Sequence, residues 1–434
     1  MPFTQKRLIT VVAGAAAVAV ALTGCGAGTR TTNENSTEVA CDYTQPESAT
    51  TVNVLAYNSS AIDPFTDTMV ESCSTGNVTL VHDPIDFGGQ VTKTTATLSG
   101  DSGTYDILEN YGFAIPGQAS EDKLVPLNDL FDKYSEKYAL DELSESMLSA
   151  LTYDGQLYAL PMQGQMFILA YREDVFDELG LEVPTTFGEM MSAAQAIRDA
   201  GTMEYPIALP WLATSDVSTS FQAMMNSLGS DFVDTDGNVT LDTDEARTAL
   251  GIMTELKQYM DPQVLTFDQP AVQQQMFNGT AAMSIMFSGR MSDLTLEANS
   301  EYFDDIAFAA PPKATAEAEY AYNRVSIDGW SIPFNTELDH DMLFEMMASS
   351  VGEEASAASV PAAYPARAGM VTDENSPYGT AANESIVSVM PAIVSPILAD
   401  VSVATTDTLA NILLGNISIE DGLAQMQTQG EGVR

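Results

Sequence analysis

The sequence predicts an α/β protein with a largely parallel sheet, and three observations carry that reading. From Thr51 onward, short β-branched runs alternate with longer stretches of helical periodicity, the pattern of a sheet covered by helices. The breaks between runs fall on helix-start and helix-stop residues, Asp63-Pro64 and Gly180 among them. Hydrophobic residues make up 45% of the 434 positions, enough to bury cores in two or three domains.

Taken in order, residues 51–56 read as a strand and 63–71 as a helix opened by Asp63-Pro64. A second strand falls at 78–81, a helix at 88–98 and a short strand at 105–108. Helices follow at 127–134 and 143–151. Asp154-Gly155 is a tight-turn pair. Residues 157–160 are extended up to Pro161, and 167–171 are extended again. A helix beginning near Arg172 stops at Leu179-Gly180, and Pro184-Thr185-Thr186-Phe187 leads into another that runs to about Ala200.

The first residues concern location. Lys6 and Arg7 precede an uncharged run, 8–22, that closes on Leu22-Thr23-Gly24-Cys25. A basic start, a short apolar stretch and small closing residues mark an export signal. The run is shorter than the roughly 18 residues of a spanning helix. Its last four residues resemble the bacterial lipoprotein box. The expectation is therefore a signal peptide over 1–24 and a lipid on Cys25 that holds the protein to a membrane face. Residues 25–49, rich in Thr, Asn, Ser and Glu, are expected to be a flexible tether. With Cys25 lipidated, Cys41 and Cys73 remain as an even pair in an oxidising compartment and are expected to form a disulfide.

Charge excludes a class of partners. The chain has 16 basic and 61 acidic residues, net −45, and phosphate backbones are bound by the opposite sign. Nucleic acid is not an expected partner.

Several local patterns carry little. Gly100-Asp101-Ser102-Gly103 resembles a serine-protease nucleophile loop, but His82 and His340 are the only histidines and neither is placed to serve as its base. Residues 234–245 put oxygen-bearing side chains at calcium-loop spacing, with Val239 where a glycine is usual. That segment reads as a short hairpin or a calcium loop. No H-E-x-x-H, paired Cys-x-x-Cys or Walker loop is present, so no metal or cofactor is expected.

Four motifs in order resemble those of the family 1 extracellular solute-binding proteins, the sugar-binding components of ABC importers. The first is Asp154-Gly155-Gln-Leu-Tyr158-Ala-Leu160-Pro161 with Tyr171-Arg172-Glu-Asp174-Val-Phe176 and Gly180-Leu181-Glu-Val-Pro184-Thr-Thr186. Phe277-Asn-Gly279-Thr-Ala281-Ala282-Met283, Gly329-Trp-Ser-Ile-Pro333 and Leu414-Gly415 through Glu420 to Leu423 follow. The resemblance covers everything after the tether. It implies two α/β lobes of the periplasmic-binding-protein type around a hinged cleft. Lobe one would be 50–161 plus 308–352, and lobe two 162–307 plus 353–434. Crossings would lie near 161–163 and 309–312, where Pro311-Pro312 resists helix.

A sugar has an apolar ring face and a rim of hydroxyls, so its site needs flat rings and hydrogen-bonding side chains. Trp211 is a candidate ring, while Trp330 reads rather as core with its neighbour Asp328 as a hydroxyl acceptor. On lobe one, Asn58, Ser59 and Ser60 end the first strand, and Glu109, Asn110 and Tyr111 end another, positions that face a cleft in open sheets. At the crossing, Gln163 and Gln165 are amides, which suit neutral hydroxyls. Ser288 and Arg290 stand where the resembled family often has Gly-Pro-Trp, and Arg367 matches a late P-x-R segment.

The function implied is capture of a neutral carbohydrate, a mono- or oligosaccharide or a polyol, and its delivery to an ABC permease by a monomeric protein that performs no chemistry. The alternative is a secreted glycoside hydrolase using an Asp/Glu pair. An adhesive role is disfavoured because the sequence has no repeats.

Overall fold

The structure, a computed structural model, describes residues 37–82 and 84–433. The signal segment and Cys25 lie outside the described residues.

The strands in chain order are β1 (Thr50–Leu55), β2 (Val78–His82), β3 (Ile107–Tyr111), β4 (Thr152–Tyr153), β5 (Gln156–Leu157), β6 (Leu160–Gln165), β7 (Phe167–Arg172), β8 (Ile207–Ala208), β9 (Met283–Phe287), β10 (Ile306–Ala309) and β11 (Ser326–Ser331). They make a five-stranded sheet ordered β2-β1-β3-β11-β6, a four-stranded sheet ordered β10-β7-β9-β8, and the hairpin β4-β5. Helices pack against both larger sheets, which gives two α/β lobes.

The sheets are mixed rather than largely parallel. β1 runs parallel to β2 and β3, but β11 is antiparallel to both β3 and β6, and β7 is antiparallel to β9 and β10. The reason is topological. β6 carries the chain out of the first lobe and β11 carries it back, so as neighbours they run in opposite directions.

Lobe one buries Val52, Val54, Leu55, Phe65, Met69, Ile107, Trp330, Phe344 and Met346 in a single core. Lobe two is covered on both faces. β7 alternates strictly, sending Phe167 and Leu169 to one core and Ile168 and Ala170 to another built with Met166, Met276, Met286 and Tyr378. A period of two explains how one strand serves both.

The motifs that stood out are mostly structural. Thr186 caps the helix Phe187–Asp199 in a reciprocal capping box with Glu189. Arg172 pairs with Asp174 and lies 3.8 Å above the Tyr302 ring. Gly279 has φ +64, and a Cβ there would sit 2.3 Å from that ring. Only glycine fits.

The lobe boundaries differ from those expected. The chain does not leave lobe two near 309–312: Lys313 pairs with Thr186 and Ala321, and Ala314, Ala318 and Tyr322 belong to the second-lobe core. The return crossing is at 323–325, just before β11. Residues 353–366 stay with lobe one, where Ala363 and Ala366 join its core and Ser144 N–H donates to the Ala366 carbonyl at 2.8 Å. By Tyr378 the chain is in lobe two again. Prolines 311 and 312 shape a turn inside lobe two, so stiffness of the chain did not mark a hinge.

The segment read as a tether is fastened in its second half. Cys41 and Cys73 form a disulfide with Cα atoms 5.2 Å apart. Val39 N–H donates to Ser72 Oγ, the Tyr43 hydroxyl to the Cys73 carbonyl, and Lys137 Nζ to the Asp42 carbonyl. Among the described residues no helix is long and apolar enough to cross a membrane.

Candidate interlobe binding site

β1 and β3 end, and β6 and β11 cross, at the boundary between the lobes. Strand C-termini in such sheets are where side chains are free to face a cleft. The pairing of β11 with β6 shifts register between Asp328 and Gly329, a bulge of the kind that re-aims a side chain. Asp328 is buried there. Its Oδ2 accepts from Gln163 Nε2 at 3.0 Å and Gln165 Nε2 at 2.9 Å, and its Oδ1 from Ser326 Oγ at 3.0 Å. The two amides therefore spend their donors on a carboxylate.

Glu109, 0% exposed, ties two strand ends together: its Oε2 accepts the Tyr57 backbone N–H at 2.8 Å. Its Oε1 has no hydrogen-bond partner, and neither do the Tyr111 hydroxyl, Gln163 Oε1 or Asn58 Oδ1. Glu109 and Tyr111 face one another closely enough that the carboxyl raises the hold of the Tyr111 hydroxyl on its proton while the hydroxyl lowers that of Glu109, yet no hydrogen bond of acceptable geometry joins them. Buried polar atoms in native proteins are nearly always paired, so four unmet atoms in one place are informative.

Burial sets the proton affinities. It holds the Glu109 carboxyl well above the usual carboxylate range, with the nearby Asp328 pushing the same way. It raises Asp328 to about 6 against the pull of its three hydrogen bonds. It also raises the Tyr57 hydroxyl to about 12, with Arg290 opposing.

An arc of rings lies beside these groups. Tyr57 meets Phe87 edge-on at 5.8 Å, Phe87 meets Tyr111 at 5.5 Å, and Tyr111 stacks on Phe113 at 5.3 Å. The Arg324 guanidinium lies 5.5 Å from the Phe113 ring centre. Phe87 keeps 43% of its surface exposed.

Lobe two closes over this region with residues 288–290. Ser288 N–H donates to the Met166 carbonyl at 2.8 Å. Ser60 Oγ donates across the boundary to the Gly289 carbonyl at 3.2 Å and to Asp293 Oδ2 at 3.4 Å. A Cβ on Gly289 would lie 2.8 Å from Ala61 Cβ and 2.9 Å from Gln165 Oε1. The lobes are in contact, and glycine permits it.

Of the residues singled out from sequence, Asn58, Ser59, Ser60, Glu109, Tyr111, Gln163, Gln165, Ser288, Arg290 and Asp328 are brought to this boundary. Four are not. Asn110 turns away, donating to Gln118 Oε1 and Ser331 Oγ. Trp330 is core and donates from Nε1 to Ser350 Oγ at 3.0 Å. Arg367 holds the Val351, Ala139 and Tyr138 carbonyls and Glu142 deep in lobe one. Trp211, 1% exposed, packs in the second-lobe core near Tyr322. Sequence reading missed Tyr57, Phe87, Phe113 and Arg324. Their signal was position: each lies a residue or two from a strand end or helix start.

In 234–245, Val233 pairs with Val239 and the Asp234 carboxylate accepts from the Asp236 and Asn238 N–H groups, so the segment is a hairpin. Among the described residues no three metal-binding side chains gather. Two surface hollows of about 170 and 200 Å³ lie elsewhere, at Asn411 and Asn128. We favour the boundary over either, because in the first the amides are already bonded to one another and to Thr408.

Comparison with known proteins agrees with this architecture. The family model described as bacterial extracellular solute-binding protein matches residues 75–337. The putative ABC transporter periplasmic-binding protein YcjN of Escherichia coli is 30% identical over 135 residues, 31% of this chain and 31% of the relative. An arabinooligosaccharide-binding protein of Halalkalibacterium halodurans is 25% identical over 267 residues, 57% and 56% of the two chains. The chain thus spans about a third to just over half of the length of the curated relatives it matches. A solved ABC transporter solute-binding protein from Agrobacterium radiobacter, in complex with ribitol, superposes with TM-score 0.78 at 19% identity, covering 90% of this chain and 100% of the other. At that identity the likeness speaks for the two-lobe fold. The family match covers well over half of the sequence, and the chain belongs to the bacterial extracellular solute-binding proteins.

Proposed function

We propose that the protein captures a carbohydrate or polyol between its lobes outside the cell and delivers it, unchanged, to the membrane subunits of an ABC importer. The observation that carries this reading is the group of buried, unpartnered polar atoms on Glu109, Tyr111, Gln163 and Asn58, set beside the Tyr57–Phe87–Tyr111–Phe113 arc. Polyhydroxylated ligands bring hydroxyls for the first and C–H faces for the second. The names of relatives that bind arabinooligosaccharide and ribitol point the same way. Closure of one lobe on the other is the motion such a site uses, and the closed shape is what the permease reads.

In this reading the signal over 1–24 is removed, Cys25 carries the lipid, and the protein works as a monomer at the outer membrane face. Hydrolysis is not part of it. Asp328, one of the two buried carboxylates at the boundary, has both oxygens engaged by protein donors, whereas a glycosidase carboxylate must face the scissile bond.

The test is a thermal-shift and calorimetric screen of the mature protein against monosaccharides, oligosaccharides, alditols, amino acids and peptides. A saturating sugar or polyol at about a hundred times its Kd is expected to stabilise by roughly 2.7 kcal/mol and to be recovered intact. Binding of amino acids or peptides alone, or conversion of the sugar, overturns the proposal.

A further inference from the structure

We infer that the captured carbohydrate or polyol carries a protonated amine, and that the group of Glu109, Tyr111, Gln163 and Asp328 beside the ring arc receives its ammonium group as the lobes open and close on it. This rests on the carbohydrate reading above and narrows it to amino sugars or amino polyols.

Three observations converge. The first is the sign of the unmet hydrogen bonds. At the boundary they are acceptors, Glu109 Oε1, Gln163 Oε1 and Asn58 Oδ1, joined by the Tyr111 hydroxyl, which serves either way. A ligand hydroxyl brings one donor and two lone pairs of its own; an ammonium brings three donors and no acceptor.

The second is charge. Glu109 and Asp328 are both buried, 0% and 1% exposed. The donors on Asp328 are two neutral amides and a hydroxyl, and that on Glu109 is a backbone N–H. Among the described residues no Lys, Arg or His forms an ion pair with either. The other charged groups nearby are Asp63, whose field also acts on Glu109, Arg290, whose field acts on Tyr57 and Asp293, and Arg324, whose guanidinium lies 5.5 Å from the Phe113 ring centre and which interacts with Asp231. Buried carboxyls without a counter-ion are costly to ionise. Gln163 and Gln165 each give a donor to Asp328, while the Gln163 Oε1 acceptor stays free.

The third is the rings. Tyr57, Phe87, Tyr111 and Phe113 are in successive ring contact, and aromatic faces attract cations, as the Arg324 guanidinium beside Phe113 already illustrates.

The binding step balances simply. Burial raises the proton affinity of Glu109, so whatever proton the carboxyl holds leaves to solvent as the carboxylate, with its Oε1 free, pairs with the incoming ammonium.

The experiment is calorimetry of the mature protein at neutral pH in two buffers of different ionisation enthalpy. The probes are glucosamine, glucose and N-acetylglucosamine, together with glucamine, sorbitol and N-acetylglucamine. The amine of a set is expected to bind at least about tenfold tighter than both its neutral companions, with a net proton release that the companions do not show. In Glu109→Gln, which keeps an acceptor for Tyr57 N–H, that preference is expected to shrink to about threefold or less. Should Glu109→Gln not fold, the proton count on the unmodified protein decides. Equal or tighter binding of the neutral sugar or polyol, or an amine that binds without proton release, overturns this inference and leaves the carbohydrate reading standing. Failure of every probe, with amino acids binding instead, overturns both.

Discussion

Asn323 accepts the Phe167 backbone N–H through Oδ1 at 2.8 Å and donates from Nδ2 to the Ser385 carbonyl at 3.0 Å. One buried amide thereby links the outgoing crossing, the returning crossing and the helix Gly379–Val387, on which the second face of lobe two is built.

Asn323→Ala leaves the Phe167 N–H and the Ser385 carbonyl buried without that partner. The expected loss is about 1–3 kcal/mol for each orphaned group, read as a lower urea midpoint. An unchanged midpoint would mean that the crossing strands hold their places without it.

The bond between Cys41 and Cys73 closes a loop with a sequence separation of 32. Chain-entropy reasoning gives a loss of roughly 3–4 kcal/mol on its removal. Cys41→Ser with Cys73→Ser should therefore unfold earlier in denaturant, and hydrogen exchange should rise over 37–49 first. Exchange in that segment no faster than in the unmodified protein counts against the staple.

Asp328 supplies a pH dependence. Its folded value of about 6 stands above the ordinary aspartate value, so between the two the native state holds a proton that the unfolded state has lost. Stability from this group is full below about pH 4 and is lost as pH rises through about 6. Unfolding free energies of Asp328→Asn and the unmodified protein, compared from pH 4 to 8, should draw apart in favour of the variant by about 3 kcal/mol at most. Parallel curves would refute the buried, raised carboxyl.

Two aromatic substitutions separate site from core. Phe87→Ala removes a half-open ring from the arc and should weaken ligand binding by about 0.5–1.5 kcal/mol, with little change in thermal midpoint. Trp330→Phe should do the reverse, lowering the midpoint through the lost bond to Ser350 Oγ while titrations of the ligand stay the same. Exchanged outcomes would reverse the two assignments.

Much of the fold was legible because it is written in local physics. The strand at 51–56, the helix opened by Asp63-Pro64, and the turn at Asp154-Gly155 all follow from period, caps and φ preference. The site was half legible. Strand ends gave Glu109, Tyr111 and Asn58, since open sheets place such residues at a cleft. Trp211 was chosen as a flat ring and Arg367 for its match to a late P-x-R segment, and neither side-chain type nor spacing says which way a strand or loop turns a side chain. A bulge at Asp328 and long-range pairing of Asn323 with Phe167 depend on contacts across more than a hundred residues of sequence, which no local pattern encodes. The same holds for the second crossing, where Pro311-Pro312 looked stiff but the core residue Tyr322 keeps the chain in lobe two.

The sulfur bridge between Cys41 and Cys73 decides which jaw is the stationary one. It rivets the incoming end of the polypeptide to the half containing β1, β2 and β3. A pull on residues 37–41 is therefore borne by that half alone. Under the anchoring proposed above, opening to let cargo in or out becomes a swing of the opposite jaw, with residues 288–290 as its leading edge.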